Sequence, residues 1–346
     1  MASTTATAGT LQSSRPKIAF LEAVRGVAAL VVVLQHIFAA QIPLFAEWSR
    51  DYVDFGRVGV VAFFVVSGYV IPLSLEHQSA KVFVVRRLFR LFPLYWLTLV
   101  LYIVFALATG TFSTQNAMPV VLITNVLMLQ GLTPVLTIIP TAWTLGIELL
   151  FYVQELFASL VKRLAAAVYA GYAWLAIFAL AELACRMLRV DLPTTLPLLL
   201  YTAAIGQALY LRDHHGSTVW RGLVISGLVI VPVFTYVGGM HDPAWPEFTY
   251  AVSYLIGLAL FAGFYLFAKR QAHPFLVWLG AVSYAVYLVH PLVYRAVALT
   301  GLNPVLCIAG SVVLSLVVAW VLHRTVELPF IAIGRRISGR TPTPSS

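Results

Sequence analysis

The sequence predicts an all-α protein: a polytopic membrane helical bundle of about ten transmembrane helices plus one short re-entrant or interfacial segment at 118–130. Three observations predict it. Of 346 residues, 61% are hydrophobic and only 10% are charged, against roughly 25% charged in a soluble domain. Mean hydropathy is +0.91. Apolar runs of about 20 residues, the length that crosses a bilayer, recur along the whole chain with short polar joints between them. These features exclude an ordinary soluble enzyme, a disordered chain and a secreted disulfide scaffold. The net charge of +9 does not point to nucleic acid, because the basic residues are scattered between apolar runs, where membrane orientation explains them. Cys185 and Cys307 both lie in apolar surroundings, so neither a disulfide nor a metal site is expected.

The elements follow in order. Residues 1–17 read as a polar N-terminal tail ending in Arg15 and Lys17. The run from Ile18 has no small-residue cleavage site after it and reads as a retained first helix. The expected spans are 18–39, 57–75, 88–109, 143–161, 164–184, 194–211, 221–240, 249–268, 275–297 and 304–323. The apolar piece 118–130 is too short to cross. If it stays on one side, the N-terminus, 76–90, 162–163, 212–221, 269–270 and 324–346 share a face carrying 16 of the 22 Lys+Arg. The opposite face keeps Arg50, Arg57, Arg186, Arg189 and Arg295, and its loop 241–247 has no Lys or Arg. If 118–130 crosses, Lys162 and Arg163 change sides and the asymmetry weakens. The positive-inside rule therefore favours ten crossings with both ends cytoplasmic. One integral domain, 18–330, and a basic, flexible cytoplasmic tail, 331–346, complete the division.

Charged side chains deep in a membrane helix cost about 2.5–3.5 kcal/mol on insertion scales and need a partner or a role. The first helix carries Glu22, Arg25 and His36. Glu22 and Arg25 are i,i+3 neighbours and can simply pair. Arg25 and His36, eleven residues apart, return to one face of a helix with a rise of roughly 16 Å. His36 alone reads equally as an interfacial histidine bonded to a loop. Glu148 in 143–161 and His290 in 275–297 fall at a similar depth, however, and Ser283, Tyr287 and His290 share one helix face at i, i+4, i+7 spacing. One polar cavity holding His36, Glu148 and His290 is the economical expectation. On the cytoplasmic side stand Lys81, Arg86, Arg87 and Arg90. They read either as an orientation anchor against anionic lipid headgroups or as a clamp for phosphate, which arginine binds bidentately. Small residues at 56, 59, 67 and 68 suit close helix packing. Ser67 lacks a nucleophile-elbow context and reads as packing.

At these residues the chain resembles the acyltransferase 3 family of integral membrane acyltransferases, from about 18 to 330. Leu21-Glu22-Ala23-Val24-Arg25-Gly26 through His36 is similar to the family's Arg-x10-His first helix. Gly59 through Phe63-Phe64 and Ser67-Gly68-Tyr69 resembles its second-helix signature. Arg87-Leu88-Phe89-Arg90 before Pro93 resembles its Arg-x-x-Arg motif, and Trp143-Thr144-Leu145-Gly146-Ile147-Glu148 its Trp-x-Leu-x-x-Glu motif. Ser283-Tyr284 through Tyr287-Leu288 and His290-Pro291 resembles the late-helix signature. Five motifs in family order make the resemblance specific.

The resemblance implies transfer of an acyl group, commonly acetyl, from cytoplasmic acyl-CoA to a carbohydrate hydroxyl. It implies a bacterial-type inner membrane, membrane lipids around the protein, no nucleic-acid partner and no permanently bound cofactor; acyl-CoA is a substrate. No fused hydrolase-like second domain is expected, which favours a sugar, lipid-linked saccharide, polysaccharide or glycolipid as acceptor. On this reading His36 and Glu148 are catalytic candidates. Arg25, Arg86, Arg87 and Arg90 hold the CoA moiety, and Trp143, Tyr287 and His290 touch the acceptor or the oxyanion. Acyl transfer requires a base, an oxyanion site and a held donor, and neutral imidazole titrates in the range a base requires. A covalent acyl-enzyme is an alternative route. The rival class is a transporter, which also buries His, Glu and Arg, but internal repeats or paired broken helices expected of it are absent from the sequence.

Overall fold

Prolines and short polar side chains start several of the helices. Pro43, Pro119, Pro274 and Pro304 occupy first-turn positions, where the missing N–H costs nothing. The Asp54 carboxylate accepts from the Gly56 and Arg57 amides at 2.8 and 3.2 Å, and Asn303 accepts from the Leu306 amide at 3.0 Å; each satisfies orphan donors of a first turn.

The computed structural model describes residues 16–238, 246–268 and 272–339. Residues 1–15 of the N-terminal tail, 241–245 of the loop without Lys or Arg, the basic pair 269–270 and 340–346 of the C-terminal tail lie outside the described residues. In order, the helices are α1 Pro16–Gln41, α2 Pro43–Asp51, α3 Phe55–Glu76, α4 Ala80–Ala108, α5 Pro119–Val126, α6 Trp143–Leu160, α7 Ala170–Leu188, α8 Thr195–His215, α9 Val219–Gly238, α10 Glu247–Gly263, α11 Pro274–Ala298, α12 Pro304–Leu322 and α13 Leu328–Ser338. A 3₁₀ turn, Leu164–Tyr169, leads into α7, and π turns at Phe264–Ala268 and His323–Glu327 follow α10 and α12. No strand occurs among the described residues, so the all-α reading holds.

Within the described residues every expected span falls on a helix, 164–184 beginning on the 3₁₀ turn. Eight helical stretches among the described residues are long and apolar enough to cross a membrane. The remaining two are α6 and α8. Every residue of α8 from Pro197 to Leu211 is buried, and a helix shielded from lipid needs no apolar outer face. α6 carries Glu148, Gln154 and Glu155. The short segment within 118–130 is the eight-residue α5, about 12 Å long and unable to span.

Two elements differ from expectation. α2 is a separate nine-residue amphipathic helix, with Leu44 and Trp48 exposed and Ser49 buried against Gln35 (2.6 Å). The tail after residue 330 is not flexible over its first part: α13 continues to Ser338 and packs along α4. Its Gly334 lies against Phe89, where a Cβ would come within 2.6 Å of the Phe89 Cβ.

At the centre, α1 packs along α11 and α3, α3 along α8 and α10, and α7 and α9 flank α8. Glycine permits these approaches. A Cβ on Gly280 would stand 2.0 Å from the Glu22 carbonyl oxygen, and one on Gly26 2.7 Å from the Gly280 nitrogen. Gly68 and Gly206 do the same between α3 and α8. Small residues let membrane helices touch along the backbone, and the packing reading of the second-helix small residues agrees. Because Gly26 meets Gly280 while His36 meets His290, α1 and α11 run parallel, and side chains eleven residues apart on α1 face α11 twice.

Candidate active site

Two clefts lie along that seam. The first, of about 900 Å³, is lined by Glu22, Arg25, Arg87, Arg90, Glu148 and Tyr152, with Ser67, Thr144, Ser283 and Tyr287. The second, of about 1080 Å³, is lined by Gln35, His36, Asp54, Arg57, Trp143 and Tyr250, among others. Val32, Val60 and Tyr287 line both, so the clefts adjoin at these three residues, a waist one helical turn from His36.

The first cleft is a charge network. Arg25 pairs with Glu22 at 3.2 Å and donates to the Ser283 hydroxyl at 3.3 Å. The Tyr152 hydroxyl donates to Glu148, and the Ser67 hydroxyl donates to the same carboxylate oxygen at 3.3 Å. Arg87 donates to the Tyr152 hydroxyl at 3.4 Å and lies over the Tyr152 and Phe83 rings at 5.1 and 5.4 Å. Arg87 and Arg90 project from one α4 face into the cleft. Glu327, buried on the π turn after α12, is within electrostatic reach of Arg25 and Arg90 and lies 2.8 Å from His323. A π turn adds a residue to the helix and re-aims the side chains after it.

The second cleft holds the imidazoles. His36 Nδ1 lies 2.9 Å from His290 Nε2. Arg57 lies 3.9 Å from Asp54 and stacks over Tyr250 at 3.7 Å, forming part of the wall opposite. Pro291 explains how α11 docks here. Proline has no N–H, so the carbonyl four residues earlier, that of Tyr287, is left without its helical donor. The Thr141 hydroxyl donates to it at 3.2 Å, and the Tyr287 hydroxyl donates in return to the Thr141 carbonyl at 2.5 Å. Thr144 adds a hydroxyl 2.7 Å from the Tyr287 hydroxyl. The carbonyl that Pro291 leaves without a donor thus ties α11 to the segment just before α6, beside the waist.

The candidate residues divide between the clefts. Arg25, Arg87, Arg90 and Glu148 meet in the first, His36 and Trp143 in the second, and Tyr287 at their junction. The expectation that Glu148 shares a cavity with His36 and His290 is not what is found: depth alone suggested it, whereas Ser67 and Tyr152 turn Glu148 toward the arginines. His290 is fully buried and lines neither cleft. Arg86 faces away, donating to Gln78, the Ser338 hydroxyl and the Gly339 carbonyl. Sequence reasoning missed Thr141 and Glu327 as site-forming residues. The signal for Glu327 was a carboxylate four residues after a histidine at the end of an apolar helix.

Arginines from α1 and α4 with a carboxylate from α6 in one cleft, and an imidazole of α1 in the adjoining one, suit group transfer between two ligands entering separately. No curated protein and no solved structure shows a match to the chain. The family model described as an acyltransferase domain matches residues 18–324, nearly the whole helical bundle. With its eight membrane-length apolar stretches, the chain belongs to the acyltransferase 3 family and is an integral membrane acyltransferase.

Proposed function

We propose that the protein is an O-acyltransferase that moves an acyl group, acetyl in the simplest case, from cytoplasmic acyl-CoA to a hydroxyl of a sugar, a lipid-linked saccharide or a polysaccharide. The observation that carries the reading is the pair of clefts adjoining beside His36. The first supplies three arginines for the CoA phosphates, since guanidinium binds phosphate bidentately. The roughly 16 Å rise from Arg25 to His36 matches an extended pantetheine arm reaching the waist. The second cleft, with Trp143, Tyr250, Gln35 and Asp54, offers aromatic faces and hydrogen-bonding groups of the kind that hold a sugar. In this reading both termini are cytoplasmic and the membrane is a bacterial inner membrane.

The chemistry follows. His36 takes the proton of the acceptor hydroxyl as its oxygen attacks the thioester carbonyl. The carbonyl π pair moves onto oxygen and returns as the C–S bond breaks. The thiolate leaves and takes the proton from the imidazolium, giving free CoA and an ester. Tyr287 at the waist and Thr144 beside it are the hydroxyls nearest the developing oxyanion; to donate to it, Tyr287 must turn its proton from the Thr141 carbonyl. Glu148 holds the arginine cleft in order through Tyr152.

The test is release of CoA and transfer of label from radiolabelled acetyl-CoA by the purified full chain in lipid nanodiscs, with and without a saccharide acceptor. Activity in wild type and its loss in H36A support the reading. Normal transfer by H36A overturns the general-base role, and donor binding unchanged in R87A/R90A overturns the clamp.

A further inference from the structure

An imidazole accepts a proton only through the nitrogen that carries none, and the partner of the other nitrogen decides which one that is. His290 Nδ1 lies 3.0 Å from the Val286 carbonyl oxygen, one helical turn back on α11. A carbonyl only accepts, so His290 Nδ1 carries a proton and donates. In the neutral ring, Nε2 is then a bare lone pair. That lone pair meets His36 Nδ1 at 2.9 Å. Two lone pairs cannot share a hydrogen bond, so His36 Nδ1 carries the proton and donates to His290.

The ring geometry agrees. The two imidazoles are within 10° of parallel, with centroids 5.2 Å apart. The centroid separation exceeds the 2.9 Å nitrogen contact by about two ring radii, so the bond runs outward in the plane of both rings, along the lone-pair direction. The rings lie side by side and are not stacked face to face. His36 Nε2 has no hydrogen-bond partner among the described residues, and the His36 ring borders the second cleft. Asp54, which caps α3, Arg57 from α3, Tyr250 and Tyr254 from α10 and Tyr287 from α11 border the same space.

We propose that His290 is the positioning residue of the reaction: it holds His36 as the Nδ1–H tautomer and leaves His36 Nε2 as the nitrogen that takes the acceptor proton. The proposal rests on the acyltransfer reading above and assigns His290 to the base, away from the acceptor. Free neutral imidazole in water favours the opposite tautomer, with Nε2 protonated and useless as a base here. When His36 takes the acceptor proton, its Nδ1–H stays bonded to His290, so the imidazolium keeps its orientation until it gives the proton to the leaving thiolate. A neutral histidine does this without placing another carboxylate in the bundle, where an added buried charge is costly.

The experiment uses ¹⁵N-histidine-labelled full chain in nanodiscs. The His36 signals are identified by their loss in H36N, and tautomers are read from the nitrogen shifts. Kinetics of acetyl-CoA turnover are measured in parallel for wild type, H290A and H290Q. Expected are a protonated Nδ1 and bare Nε2 on His36 in wild type, and a shift toward protonated Nε2 in H290A. The glutamine amide oxygen takes the place of the lost Nε2 acceptor, so H290Q keeps the wild-type tautomer. H290A is expected to lower kcat by about 10²-fold, within the range attributed to general-base catalysis, with KM for the donor unchanged, and H290Q to recover most of the loss. A His36 that carries its proton on Nε2 in wild type, an unchanged tautomer in H290A, or an H290Q no better than H290A in either readout overturns the proposal. Failure of the underlying reading looks different: expected tautomers with no turnover of any acyl-CoA by wild type refute the acyltransfer role, and with it the catalytic part of the proposal.

Discussion

Replacing Gly280 by alanine presses directly on the contact that sets the site. A Cβ at this position would stand 2.0 Å from the Glu22 carbonyl oxygen, 2.5 Å from its carbon and 2.8 Å from its Cα, all of them backbone atoms. Real Cβ atoms stay beyond about 3.0 Å of such neighbours, and no rotamer change can relieve a backbone contact. α11 must therefore move from α1 by about 1 Å. If it moves as a rigid rod, the His36–His290 contact opens from 2.9 Å to about 3.9 Å, beyond hydrogen-bond range. The Arg25–Ser283 contact, now 3.3 Å, opens in the same way. The overpacking costs about 1–3 kcal/mol of stability, and a misplacement of about 1 Å at a reacting group costs about 10²-fold in rate. G280A is therefore expected to fold with a lowered Tm and to turn over acetyl-CoA about 10²-fold more slowly. Gly263, at the end of α10, is the control, because a Cβ there meets nothing within 4 Å, and G263A should match wild type in both measurements. A G280A protein that turns over as fast as wild type would refute the argument that the α1–α11 register positions the base.

Other outcomes follow from the same geometry. H36A should lower transfer by about 10²–10⁴-fold while circular dichroism shows unchanged helix content. R87A and R90A should raise KM for acyl-CoA more than they lower kcat, and R87K or R90K should restore little, because an ammonium cannot reproduce the planar two-point contact with phosphate; steady-state kinetics with acetyl-CoA check both. Y152F removes the hydroxyl that joins Arg87 to Glu148. It should lower stability by about 1–3 kcal/mol, the cost of leaving buried polar groups short of a partner, measured by thermal unfolding in detergent.

What the sequence made legible depended on the range of the physics involved. Span length is a local property, and within the described residues every expected span falls on a helix. α2 and α13 were not anticipated because nine and eleven residues of mixed polarity fall below any length criterion; their helicity comes from packing, of Ser49 on Gln35 and of Gly334 on Phe89. The same division holds in the site. The Glu22–Arg25 pair, an i,i+3 neighbour relation, was readable from spacing alone. The His36–His290 contact joins residues 254 positions apart, and no spacing rule reaches that far. Depth in the membrane was also readable, but direction around the helix was not. Glu148 was therefore placed beside the imidazoles, although its α6 face turns it to Ser67 and Tyr152.

The arginine cleft raises a question of energetic logic. Arg25, Arg87 and Arg90 sit among Glu22, Glu148 and Glu327, and buried ion pairs are commonly no more stable than apolar residues of the same volume. A bundle selected only for stability would have no reason to keep six charged groups there. Among the described residues Arg25 is ion-paired with Glu22, Arg87 is held through the Tyr152 hydroxyl that donates to Glu148, and Arg90 has no carboxylate within ion-pair distance. These contacts keep Arg25 and Arg87 aimed into the cleft and leave Arg90 to an entering ligand. A monocarboxylate competes poorly on those terms, because it merely replaces one carboxylate by another. On the proposed reading, a ligand with several phosphate oxygens engages more than one guanidinium at once, and the cleft favours the polyphosphate end of a coenzyme over the simple anions that surround it.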